Sequence, residues 1–123
     1  MATPKILIVD DAAFMRMRCS KFLIDQGYQV KEASNGVEAL EHFKTYQPDA
    51  VLLDITMPLM DGLETLKKIM AMDPNARVAM VSAMGQQALV IEALKSGARD
   101  FVVKPFDAPR VLGAVHKLVG ANN

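Results

Sequence analysis

The sequence predicts an α/β domain: a three-layer, doubly wound sheet of five parallel strands in a (βα)5 repeat. Three observations point there. Five short apolar runs rich in β-branched residues recur along the 123 residues, and a longer segment of helical period follows each. Three of the runs, each four residues long, are apolar throughout instead of alternating, the pattern of strands covered on both faces. Strands that alternate with helices form parallel βαβ units with right-handed crossovers, which puts helices on both sides of one sheet.

The first strand is Ile6-Leu7-Ile8-Val9. The helix after it turns Met15, Cys19, Phe22 and Leu23 inward, with Asp11 or Ala12 suited to its start and Gly27 to its stop. Tyr28-Gln29-Val30-Lys31 is the second strand, polar enough to belong at or near an edge. Ala39, Leu40 and Phe43 are the inner face of the second helix. The third strand, Ala50-Val51-Leu52-Leu53, precedes a helix with Leu63, Leu66, Ile69 and Met70 inward. Val78-Ala79-Met80-Val81 is the fourth strand, and Gly97 closes the helix after it. Phe101-Val102-Val103 is the fifth; Val111, Leu112, Val115, Leu118 and Val119 line the last helix, with Pro109 in its first turn. The fourth helix departs from the rule of one buried stripe. Leu89-Val90-Ile91-Glu92-Ala93-Leu94 is apolar on more than one side. It is either wedged deeply between neighbours or part of an apolar surface, with Val90, Phe101 and Val103, that meets a partner.

Composition narrows the function. Half the chain is hydrophobic (51%) and 23% is charged, so it can bury a core and is not a disordered tail. Fourteen basic and fourteen acidic residues cancel, which argues against a nucleic-acid partner. The balance hides a gradient. Residues 1–64 hold ten acids and six bases, and residues 65–123 hold four acids and eight bases. One cysteine, Cys19, excludes an internal disulfide or a multi-cysteine metal cage and suits a small core position. No apolar run approaches the roughly 20 residues that cross a bilayer, and Met1-Ala2-Thr3-Pro4-Lys5 is no signal peptide. A soluble, cytoplasmic, single domain over residues 1–123 is expected, with no linker, no membrane and no effector domain.

The chemistry is expected outside the carboxyl ends of the strands, at the switch point between strands 1 and 3 of a 2-1-3-4-5 sheet. Strand 1 runs into Asp10-Asp11 and strand 3 into Asp54. A lone acid there would be a solvated loop residue or a helix cap. Three together repel one another and call for a divalent cation, Mg²⁺ or Mn²⁺ for an all-oxygen set. Strand 4 ends in Val81-Ser82-Ala83 and strand 5 in Val103-Lys104-Pro105, adding a hydroxyl and an ammonium to the same rim. Acids, metal, hydroxyl and lysine are the parts that hold a transferring phosphoryl group, and a carboxylate can be its nucleophile. Other phosphoryl chemistries fit worse. A dehalogenase-type phosphatase expects a second acid where Thr56 stands, and no P-loop or dinucleotide turn occurs. An FMN-binding flavodoxin would want a hydroxyl- and glycine-rich loop where Asp10-Asp11-Ala12-Ala13 sits. His42 and His116 fall on helices among polar neighbours and are read as solvated.

Asp10-Asp11, the segment Leu53-Asp54-Ile55-Thr56-Met57-Pro58-Leu59-Met60-Asp61-Gly62, Ser82-Ala83 and Lys104-Pro105-Phe106 together resemble the receiver domain of two-component response regulators in order and spacing. Asp10-Asp11-Ala12-Ala13-Phe14-Met15-Arg16 and Ser82-Ala83-Met84-Gly85-Gln86-Gln87 resemble its chemotaxis members. The resemblance covers nearly the whole chain and implies a flavodoxin-like order. It implies Asp54 as phosphoacceptor, Asp11 and Asp54 as direct Mg²⁺ ligands, Asp10 acting through water, and the Thr56 main-chain carbonyl completing the set. Ser82 would bond a phosphoryl oxygen and Lys104 would pair with it. Phe101 holds the aromatic switch position, where many chemotaxis members carry Tyr; without a hydroxyl it cannot donate a hydrogen bond to a partner. The implied partners are a sensor histidine kinase and an output protein such as the flagellar motor switch. The alternatives in the same family are a phosphorelay shuttle or a receiver fragment of a larger regulator; a scaffold without phosphorylation is the rival outside it. The protein would be a switch that catalyses its own modification, not a turnover enzyme.

Overall fold

The computed structural model describes residues 3–55, 57, 60–83 and 85–120. Strands β1 (Lys5–Val9), β2 (Gln29–Ala33), β3 (Ala50–Asp54), β4 (Val78–Ser82) and β5 (Asp100–Val103) alternate with helices. These are α1 (Ala13–Asp25), α2 (Gly36–Tyr46), α3 (Gly62–Met72), α4 (Gln87–Lys95) and α5 (Ala108–Leu118). All four strand pairings are parallel, in the order β2-β1-β3-β4-β5. The polar second strand is at an edge, as its composition requires.

Side chains on a strand point alternately to the two faces, so each apolar run feeds two cores. Leu7, Val9, Val51, Leu53, Val78 and Met80 pack with Ala39 of α2, Leu66 and Ile69 of α3 and Ala93 of α4. Ile6, Ile8, Leu52, Ala79, Val81 and Val102 pack with Cys19 and Leu23 of α1 and with Val111, Val115 and Leu118 of α5. The inner strands lack polar alternation because neither face meets water. Each such Leu, Ile or Val contributes about 1.5–3 kcal/mol on burial.

Asn35, Asp61 and Asp107 cap α2, α3 and α5 by accepting from the amides of Glu38, Glu64 and Arg110. Helix α1 has Ala12 at its cap and no side-chain cap of its own. Its Ala12 amide donates instead to Asp10 Oδ1 at 2.8 Å, so the start of α1 is tied to the end of β1. Gly62 opens α3 where the chain folds back on β3: its amide donates to the Ile55 carbonyl at 2.7 Å. A Cβ at Gly62 would overlap the carbonyl oxygen of Asp54 and lie 2.6 Å from Ile55 Cα. Only glycine permits that approach.

Candidate functional site

The β1–β3 register pairs Val9 with Leu53. The next residues, Asp10 and Asp54, therefore stand side by side at the switch point. Both are buried, with 6% and 5% of their surface exposed, while Asp11 is exposed. One carboxylate oxygen from each of Asp10, Asp11 and Asp54 lies within 4.8 Å of the others. Lys104 reaches in from the end of β5, with Nζ 3.0 Å from Asp10 Oδ2 and 3.4 Å from Asp54 Oδ1. The peptide bond after it, to Pro105, is cis.

Asp10 is tied at every polar atom. Its amide donates to the Ala33 carbonyl at 3.1 Å, and its carbonyl accepts from Arg16 Nη1 at 2.6 Å. Its two carboxylate oxygens accept from the Ala12 amide and from Lys104. Asp54 is far less committed. Among the described residues only Lys104 approaches its carboxylate, and only at Oδ1.

Burial and then the charge of Asp10 push the Asp54 carboxyl up from 3.8 to about 6. Lys104 opposes this by charge and hydrogen bond, and Asp11 adds to it. Burial works against the Lys104 ammonium, but its hydrogen bond to Asp10 and the charges of Asp54 and Asp10 raise it above its ordinary value. One ammonium thus faces three carboxylates in a half-dry site. The arrangement has room in its charge balance for a hard cation, and its donors are all oxygen.

Ser82 ends β4, fully covered, beside Val103 in the β4–β5 register. Its carbonyl accepts from the Lys104 amide at 2.7 Å, so the hydroxyl and ammonium residues are joined through the backbone. Thr56 and Met84 lie outside the described residues. Phe101 is half-buried and packs on the α2–α3–α4 side of the sheet. Asp100 Oδ1 accepts the Phe101 amide at 2.8 Å, and Arg110 of α5 grips both Asp100 oxygens and the Phe101 carbonyl.

Helix α4 is not wedged. Only Ala93 is buried, whereas Ile91 and Leu94 are 42% and 47% exposed; the excess apolar residues face outward. Val90 is half-buried and Val103 exposed on the same side of the molecule. Cys19 is a core residue, its thiol pushed up to about 11 by burial first and by Asp10 second. His116 is exposed and His42 half-buried.

Sequence reasoning assigned no role to Arg16, Glu32 or Ser20, which meet behind Asp10. The signal was present but weak: an arginine six residues after Asp10, on the first turn and a half of α1.

A parallel sheet whose switch point holds three carboxylates and a lysine defines a class, and the comparisons agree with it. Residues 6–116 match the response regulator receiver domain, and the chain belongs to that family. It is 55% identical over 115 residues to the chemotaxis protein CheY of Thermotoga maritima, covering 93% of this chain and 96% of that one. With CheY of Bacillus subtilis it is 55% identical over 114 residues, 92% and 95% of the two chains. A similar solved structure is the CheX–CheY–BeF3–Mg complex of Borrelia burgdorferi, with TM-score 0.89 and 41% identity over 93% of this chain and 87% of that one. Within the family the chain is a receiver of the CheY type, a phosphorylation-activated switch of chemotaxis. Such receivers are signalling switches rather than turnover enzymes. No helix among the described residues is long and apolar enough to cross a membrane.

Proposed function

We propose that Asp54 is the phosphoacceptor and that the chain catalyses its own phosphorylation from a phosphohistidine on a sensor histidine kinase. The observation that carries this is the contrast between the two buried carboxylates. Asp10 has both oxygens engaged, whereas Asp54 keeps Oδ2 without a donor among the described residues. A nucleophile needs such an uncommitted oxygen. Attack by that oxygen forms an acyl-phosphate O–P bond as the P–N bond of the donor breaks and the histidine leaves with the electron pair.

Asp11 and Asp54 would hold Mg²⁺ (or Mn²⁺) directly, Asp10 through water, and the Thr56 carbonyl would complete the protein ligands. The full engagement of Asp10 supports its outer role. Bound there, the cation offsets the charge shared by the carboxylates and the phosphoryl oxygens. Ser82 donates to a phosphoryl oxygen, and Lys104 exchanges Asp54 Oδ1 for another.

The modification adds about −1.5 to −2 charges at neutral pH. Drawing Ser82 and Lys104 toward it pulls on the β4–α4 loop and on β5, and so on Phe101. The readout is the α4–β5–α5 face, including Val90, Phe101 and Val103, where Ile91 and Leu94 already lie open. On this reading residues 1–123 work as one domain in the cytoplasm, binding a kinase and an output protein such as the flagellar motor switch. Neither nucleic acid nor membrane takes part.

Incubation with acetyl phosphate and Mg²⁺, followed by intact mass, tests the assignment. One phosphoryl adduct is expected on the wild type and none on Asp54→Asn. An adduct on that variant at the wild-type rate overturns it.

A further inference from the structure

A polar network grips the acidic cluster from behind, and the phosphoryl chemistry does not use it. Arg16 Nη1 donates to the Asp10 carbonyl at 2.6 Å, and its Nε to Glu32 Oε1 of β2 at 3.2 Å. Ser20 Oγ, one turn along α1 and buried, donates to the other Glu32 oxygen at 2.9 Å. The Arg16 side chain is mostly covered. Its guanidinium is therefore held between Glu32 of β2, whose side chain is 44% exposed, and the residue after β1, and it turns toward a backbone oxygen of the site.

That oxygen matters because of where it lies in the chain. The Asp10 carbonyl belongs to the peptide plane that leads into Asp11, and a peptide unit is planar. Fixing its oxygen orients the whole unit and hence the direction from which the Asp11 side chain departs. Asp11 needs such help. It is exposed, and among the described residues no donor meets its carboxylate. Asp10 is held by its own contacts, and Asp54 by β3; the aim of Asp11 depends on the backbone before it.

We propose that Arg16, anchored by Glu32 and Ser20, is a positioning residue that aims Asp11 at the cation site through the Asp10 carbonyl. The inference rests on the metal reading given above and extends it to residues outside the carboxylates. It makes a prediction opposite in sign to simple electrostatics. A guanidinium beside a cation site repels the cation, so by charge alone Arg16→Met would tighten Mg²⁺ a few-fold and Arg16→Lys would change nothing. Loss of the brace instead weakens Mg²⁺ in both. A lysine ammonium is a single point and cannot hold the Asp10 carbonyl and Glu32 in one plane.

The experiment is a Mg²⁺ titration of the wild type, Arg16→Lys and Arg16→Met, followed by amide NMR shifts of Asp11 and its neighbours well below the melting temperature. Both variants are expected to bind about tenfold more weakly, the usual effect of losing a group that orients a ligand. If Arg16→Met does not fold, Arg16→Lys decides alone, because it keeps the charge and removes only the geometry. Equal or tighter binding in the folded variants, beside a wild type that binds, overturns the role of Arg16 and leaves the metal reading standing. A wild type without a saturable response overturns the metal reading and this inference with it.

Discussion

Replacing Asp54 with Asn should make the metal-free protein more stable at neutral pH, although it removes the proposed reactive group. The carboxyl rises from 3.8 to about 6 in the fold, first through burial and then through Asp10. At 1.36 kcal/mol per pH unit this is a penalty of about 3 kcal/mol against the charged form. Asn has nearly the same shape and no charge. The substitution also deprives Lys104 of a partner at 3.4 Å, but Asp10 remains at 3.0 Å. A net gain of about 1–3 kcal/mol is expected, with about 3–5 °C in Tm for each kcal/mol in a chain of this size. The sign of the pH dependence follows from linkage. The folded protein binds the Asp54 proton more tightly than the unfolded chain does, so the penalty is absent below about pH 4, grows toward about pH 6 and is complete above it. The advantage of Asp54→Asn should therefore vanish near pH 4 and be largest at neutral pH. Mg²⁺ should narrow it by stabilising the wild type, by about 1.4 kcal/mol at ten times its Kd. Urea melts of both proteins across this pH range, with and without Mg²⁺, are the assay. An Asn variant no more stable than wild type at neutral pH, or a gain equal at both ends of the range, would refute the reasoning.

Gly62→Ala should cost about 2–3 kcal/mol and move the end of β3, because its Cβ would meet the backbone of Asp54 and Ile55; a lower urea midpoint and shifted Asp54 resonances are the readout. Arg110→Ala should raise the Asp100 carboxyl, which is held below its ordinary value because the Arg110 and Phe101 hydrogen bonds outweigh its burial. The Asp100 contribution to stability is present above the ordinary carboxylate range and lost as pH falls; an NMR titration of Asp100 showing no upward movement in the variant would count against the clamp. Beryllofluoride with Mg²⁺ should shift amides of α4 and of Phe101 as well as those near Asp10, Asp54 and Lys104. Changes confined to the acidic site would mean that the α4–β5–α5 face is not the readout.

Much of this is legible in the sequence itself. Unbroken apolar runs such as Val51-Leu52-Leu53 require cover on both faces, and a sheet covered on both faces by the helices between its strands is parallel and three-layered. Strand-end residues Asp10, Asp54, Ser82 and Lys104 then had to share one rim, since parallel strands all end on the same side. The exposure of α4 was not readable. Its residues are equally apolar in a wedged helix and in an open one, and only the positions of α3 and β5 separate the two cases. Arg16 was opaque for a related reason: its partners are a main-chain oxygen, which carries no sequence signal, and an acid sixteen residues away on β2.

The order and type of the elements, the edge place of β2 and the identity of the four chemical groups at the rim are local properties, set by periodicity, chain direction and residue chemistry. Apart from the family resemblance, only the tertiary structure distinguishes the two buried aspartates. Asp10 and Asp54 look alike in the chain, each an acid after an apolar strand. One receives the Ala12 amide and Lys104 and is locked; the other, with a glycine folded tightly behind its backbone, keeps an oxygen that no donor meets among the described residues. That difference arises from contacts between residues as far apart as Asp10 and Lys104, whose juxtaposition depends on the packing of the whole sheet.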